Sequence, residues 1–246
     1  MEKAGKIFEG QGRNILYGIG ALAVLGILIW LILLWNNSSN QKAQAALGRA
    51  MEIQQAQIME SPPAGSTEKT FKTEADRAQA AIAEFEKVAA EYGGSVGEKA
   101  KYFIAINRLT LDRAAGTAEL EALSGSGGEV GSLSKFALAQ VLADDGKLDQ
   151  AAALYAELSA SSDPIISKET INWELAQLYE KQGKKAEAID VLFELVKTAS
   201  EAKDLDGKSV PLTATAQKAK DKLTQLDPER TKQLPEIKPD LGSLPF

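Results

Sequence analysis

The run from Ile15 to Trp35 carries no charged residue over 21 consecutive positions. As a helix rising about 1.5 Å per residue, it matches the ~30 Å hydrocarbon core of a bilayer. It predicts one membrane-spanning helix, so the rest of the chain reads as tethered. Tyr17 near its start and Trp30 and Trp35 near its end suit the headgroup region, where amphipathic rings gather. Two other readings stay open. One is a cleaved signal peptide, whose apolar core is usually shorter, about 7 to 15 residues. The other is a buried core helix, although the chain has no second long apolar segment to pack against it. Lys3, Lys6 and Arg13 precede the run, and only Lys42 and Arg49 follow it closely. The positive-inside bias then puts the N-terminus in the cytoplasm and the C-terminal part outside it.

The 28 basic residues are outnumbered by 34 acidic ones, for a net charge of −6. This balance argues against holding nucleic acid or an anionic lipid surface by bulk charge. Cysteine and histidine are both absent. Disulfides, thiolate metal sites and cysteine nucleophiles are thereby excluded, as are the commonest general base and metal ligand. No catalytic residue, cofactor or metal is expected. The residues beyond the span are enough for one domain with a sizeable core.

Residues 1–14 read as a cytoplasmic stub and 15–35 as the transmembrane helix. Residues 36–226 read as one helical domain, and 227–246, with Pro228, Pro235, Pro239 and Pro245, as an extended, disordered tail. Within the domain, Leu47, Met51 and Ile58 recur at helical spacing over 41–60, and Pro62 and Pro63 end that helix. Further helices are predicted over 74–92, 98–113 and 117–123. Gly125, Gly127, Gly128 and Gly131 mark a flexible loop.

A duplicated pattern follows. Phe136 to Leu142 leads to Asp145-Gly146-Lys147 and on to Ala151, Tyr155 and Leu158; 37 residues later Trp173 to Tyr179 leads to Gln182-Gly183-Lys184, then Ala188, Leu192 and Leu195. Ala139 with Ala151, and Ala176 with Ala188, are the small residues that let two antiparallel helices approach, with Gly146 or Gly183 making the turn. One hairpin cannot bury its own apolar face, so such units stack in series and end in an atypical helix, here 213–226.

Leu138, Ala139, Leu142, Gly146, Ala151 and Tyr155, then Leu175, Ala176, Tyr179, Gly183 and Ala188, resemble the tetratricopeptide repeat signature. The resemblance is strong over 133–198 and looser over the rest of 43–226. It departs from the pattern at the 61–73 insertion, at the Gly-rich stretch 125–131 and in lacking a closing proline in each unit. It implies an all-α fold: one membrane helix, then a right-handed solenoid of about four helical hairpins, the first imperfect, and a closing helix. The order of parts, with Phe8-Glu-Gly10 and Arg13 before a Gly-rich span ending in Trp35, also resembles the ancillary subunit of the bacterial SecYEG translocon. That resemblance implies a single-pass inner-membrane protein with a periplasmic domain. Translocon subunits, periplasmic chaperones or secreted chains would be its partners.

Tyr102, Phe136 and Trp173 hold equivalent positions in three units. In tetratricopeptide proteins that position usually lines the concave groove, so the three rings resemble a ladder for a bound segment; packing between helices is the other reading. Gln140, Gln177 and Lys181, one turn further along, would supply polar contacts in such a protein-binding groove. Asp144-Asp145 and Asp204-Leu-Asp206-Gly207 lack the alternating ligands and closing glutamate of a calcium loop and read as solvated turns. A repeat stack without a reactive group points to binding. The leading expectation is a chaperone-like scaffold at the membrane; the alternative is a structural subunit or assembly factor of one envelope complex.

Overall fold

The structure, a computed structural model, describes residues 40–60, 69–162 and 164–235. The expected stub, the 15–35 span and the tail beyond residue 235 lie outside the described residues. Among those described, no helix is long and apolar enough to cross a membrane.

The described chain is a series of antiparallel helix pairs. Helix α1 covers 40–54 and pairs with α2, Glu74–Glu91. Next come α3, Gly94–Leu111, and α4, Arg113–Ser124, then α5, Gly128–Asp144, and α6, Leu148–Ser159. A fourth pair is α7, Lys168–Lys181, with α8, Lys185–Glu201. Helix α9, Ala214–Leu226, and a single turn α10, Pro228–Thr231, close the stack. Each helix packs mainly on the next one in sequence, as in a solenoid.

Several boundaries differ from those read in the sequence; α3, for one, runs from Gly94 to Leu111 where 98–113 was expected. The first helix stops at residue 54 instead of 60, because Gln57–Ile58 (β1) turns away to pair in parallel with Thr70–Phe71 (β2). This two-residue ribbon is held by Met59 N–H donating to the Phe71 carbonyl at 2.8 Å and by the Arg77 guanidinium donating to the Ala56 carbonyl at 3.3 Å. Helix α4 begins at Arg113, not at 117, since the Asp112 carboxylate accepts from Ala115 N–H at 3.0 Å and caps it. The Gly-rich stretch is a loop only over 125–127, for Gly128 and Gly131 already belong to α5. A side chain at Gly131 would collide with the Ser126 carbonyl, so the fold-back of this short loop explains that glycine. Finally, Pro228 opens a helical turn where an extended tail was expected, with Asp227 capping Arg230 N–H at 2.9 Å.

Three apolar clusters run along the stack, each shared by successive pairs. The first joins α1, α2 and α3, with Phe85 fully buried and stacked on Phe103 at 5.0 Å between centroids. Burying a phenylalanine contributes about 1.5–3 kcal/mol. The second and largest extends from α3 to α7 around Tyr155, Leu120 and Ile171. The third joins α7, α8 and α9 through Leu192, Val196 and Leu223. The predicted closing helix thus turns Ala216, Ala219 and Leu223 inward, as its spacing implied.

Candidate functional site

Two glycine turns set the register of the central pairs. Gly146 and Gly183 have φ of 76° and 73°, left-handed values that suit a residue without Cβ. After α5, Lys147 N–H donates to the Leu142 carbonyl at 2.8 Å and Gly146 N–H to Ala143 at 3.2 Å; after α7, Lys184 donates to Tyr179 at 2.8 Å and Gly183 to Glu180 at 2.9 Å. Both helices therefore end in the same Schellman motif, 37 residues apart. The small residues behind each turn, Ala139, Ala151, Ala176 and Ala188, are all buried. The turns are also tied to one another, with the Asp149 carboxylate accepting from Lys184 at 2.9 Å and from Gln182 at 3.3 Å.

Fixing the turns fixes which side chains of α5 and α7 face each other. Helix α3 packs against α5, and α7 against α9, but α5 and α7 barely touch. Between them opens a cleft of about 380 Å³, lined by Gln140, Ala143 and Asp144 of α5, Tyr155 of α6, and Glu174, Gln177, Leu178 and Lys181 of α7. Its lining is polar where the neighbouring junctions are apolar. Charged side chains cannot be buried against one another without partners, which keeps this junction open.

Three of the six residues proposed from sequence line this cleft: Gln140, Gln177 and Lys181. The three aromatic rings lie elsewhere, each half-buried. Tyr102 and Phe136 pack on the central cluster, Tyr102 edge-on to Phe103 at 5.3 Å and Phe136 edge-on to Tyr155 at 5.3 Å. Trp173 packs on the third cluster. Burial raises the Tyr102 phenol above its ordinary pKa.

Asp144, Tyr155 and Glu174 were not among the groove residues read from sequence. Tyr155 has 1% of its surface exposed, yet it forms part of the cleft wall. Its phenol is pushed well above the ordinary range, first by burial, then by the negative charges of Glu174 and Asp144. Glu174 is itself shifted up by burial, with Lys181 pulling the other way, and it accepts a long hydrogen bond from Gln177 at 3.4 Å. The cleft thus gathers two carboxylates, one ammonium, two carboxamides and a phenol. The available signal was the helical spacing of Glu174 with Gln177 and Lys181; the approach of Tyr155 from α6 required the folded pair.

The two acidic turns have structural roles. Asp145 pairs with Arg113 at 2.8 Å. The Asp204 carboxylate accepts from the backbone N–H of Asp206 and Lys208, closing a turn that carries the Lys203–Ser209 bridge. Among the described residues no group of acidic side chains is arranged to hold a metal ion.

No family model matches the chain, and no curated protein matches it. Two solved structures do, both from Podosopora anserina and assigned as a kinesin light chain with nearly identical TPR-like repeats, one a point variant of the other. Each superposes with a TM-score of 0.51 at 14% identity, covering 78% of this chain and 89% of the other. The fold is TPR-like. At that identity the likeness extends to the fold alone. It agrees with the helical-hairpin stack implied by the 37-residue duplication.

Proposed function

We propose that this chain is a membrane-anchored, non-enzymatic protein-interaction scaffold, a chaperone-like accessory factor that presents the α5–α7 cleft to other proteins. The observation that carries the reading is the cleft itself: a polar opening, set by two matched turns, where α5 and α7 barely touch although α3 packs on α5 and α7 on α9. Its groups are hydrogen-bonding and charged, suited to recognition. The charge-free run 15–35 supports a single-pass anchor in the bacterial inner membrane. The excess of basic residues before that run supports a cytoplasmic N-terminus and an extracytoplasmic repeat domain. Work beside the Sec translocon is part of the proposal and rests on the resemblance of the N-terminal segment and the order of parts.

The test is photocrosslinking of the full-length chain in native membranes, with a photoreactive residue at Gly20 in the run and another at Gln177 in the cleft. The proposal expects translocon subunits at Gly20 and varied exported chains or envelope proteins at Gln177. One fixed stoichiometric partner at both positions would make the chain a structural subunit instead. Recovery of the chain in the soluble fraction, with no adduct at Gly20, would remove the anchor.

A further inference from the structure

Resting on that reading of the cleft as a recognition surface, we infer that it takes one basic side chain, arginine above all, from an extended peptide segment. Asp144 and Glu174 receive the charge, the Tyr155 hydroxyl bonds its tip, and Gln140 and Gln177 grip the backbone on either side.

The floor of the cleft points to a ligand. Tyr155 is buried to 1% exposure, but no described residue hydrogen-bonds its hydroxyl. That oxygen is not among the buried polar atoms that lack a partner, so the little surface Tyr155 exposes includes its hydroxyl, open to the cleft and able to take a partner there. Here the hydroxyl lies in the cleft wall within electrostatic reach of two carboxylates, neither bonded to it. A planar guanidinium offers five donors in a fixed fork, enough to serve two carboxylates and a phenol oxygen together.

Charge points the same way. Asp144 and Glu174 outweigh Lys181, and Lys181 forms no ion pair with either among those described. Asp144 approaches only Arg113, at 3.9 Å, and remains largely exposed. The two carboxylates therefore have capacity left for an incoming cation. Gln140 and Gln177 occupy the same register in successive units, 37 residues apart. A carboxamide both donates and accepts, so a pair of them across a cleft matches the N–H and C=O of an extended backbone. Ala143 and Leu178 supply apolar wall for the methylenes of a long basic side chain.

The experiment is calorimetric titration of the full-length chain in detergent with three capped peptides of alanine and glycine. One carries a central arginine, one citrulline and one glutamate. We expect the arginine peptide to bind at least about tenfold more tightly than the citrulline peptide, the factor expected for a charge-assisted hydrogen bond, and the glutamate peptide not to bind. Asp144→Asn with Glu174→Gln should abolish the arginine preference but leave citrulline binding in place. Tyr155→Phe should weaken the arginine peptide by about tenfold. Gln140→Ala with Gln177→Ala should weaken both peptides alike. Thermal unfolding of each variant separates a lost contact from a lost fold.

Equal binding of arginine and citrulline peptides at the cleft would overturn the inference and leave the scaffold reading standing. Free argininamide binding as tightly as the peptide would overturn the backbone grip and make the cleft a site for small cations. If none of the peptides binds and Gln177 gives no crosslink in native membranes, the scaffold reading of the cleft fails with it.

Discussion

The junction of α3 with α5 is closed and the junction of α5 with α7 is open, although all three helices hold the same place in successive units. Ile106 and Leu109 of α3 pack into the apolar cluster shared with α5. In register with Ile106, 34 residues later, α5 has Gln140, and α7 has Gln177 after a further 37. Around those glutamines stand Asp144, Glu174 and Lys181. Apolar facing positions draw neighbouring units together; polar ones hold water and keep them apart. The opening is therefore written in a few substitutions within a repeat, while the backbone scaffold stays the same.

The hairpins themselves differ in a second way. A three-residue glycine turn joins α5 to α6, whereas α3 passes to α4 through Asp112 alone, whose N–H donates to the Arg108 carbonyl at 2.7 Å. The shorter turn presses α4 onto α3, and a Cβ at Gly116 would lie 2.6 Å from the Leu109 backbone nitrogen.

Gly116→Ala should therefore have the largest effect on stability, a loss of about 2–3 kcal/mol in urea unfolding, since backbone has to move. Gly48→Ala in α1, where a Cβ meets nothing within 4 Å, should gain about 0.5–1 kcal/mol. Equal results at the two sites would break the distinction between the hairpins. Gly146→Ala and Gly183→Ala, both at left-handed φ, should each lose about 1 kcal/mol, by matching amounts. Markedly unequal losses would show that the two turns are not equivalent.

Gln140→Leu with Gln177→Leu sharpens the comparison of junctions. It should bring α5 toward the closed arrangement of α3 and α5, adding about 1 kcal/mol of stability and abolishing peptide binding. A variant both less stable and still binding would refute the account of the opening. Arg230→Ala should cost about 0.5–1 kcal/mol. Its guanidinium lies 4.5 Å from the Phe193 ring centroid and 3.1 Å from Asp190, covering the end of the stack.

The smallest effect concerns protons. Because burial raises the folded-state pKa of Glu174, the folded chain binds that proton more tightly than the unfolded chain. Stability should rise as pH falls through the raised value toward the ordinary carboxylate range, and the ionised group should be a mild burden at neutral pH. Glu174→Gln should remove this contribution, flattening the acid side of the pH–stability profile. An unchanged profile would show that the carboxylate is fully solvated.

The duplicated helix–glycine–helix pattern was legible because each of its parts is local. The Schellman glycines, the small residues behind them and the apolar spacing all act within one hairpin, and all stand where the 37-residue offset put them. The turn at Asp112 was not legible, because one aspartate ends α3 and caps α4 without a glycine to announce it. Ala114, Ala115 and Gly116 then read as linker although they form the first turn of α4. The Gly-rich stretch misled for the opposite reason: Gly128 and Gly131 open α5, and their role depends on how tightly 125–127 folds back. Half of the proposed groove residues reached the cleft, since Gln140, Gln177 and Lys181 follow from helix-face spacing alone. Tyr155 arrives from α6, and its meeting with Asp144 and Glu174 depends on the distance between α5 and α7.

The most direct test of the central claim is photocrosslinking in native membranes from two positions of the full-length chain. One is Gln177 in the open junction. The other is Lys218 of α9, an exposed residue outside the cleft. Protein adducts are expected at Gln177, competed by the arginine peptide, with few at Lys218. Adducts at Lys218 with none at Gln177, or adducts at Gln177 indifferent to the peptide, would contradict the claim.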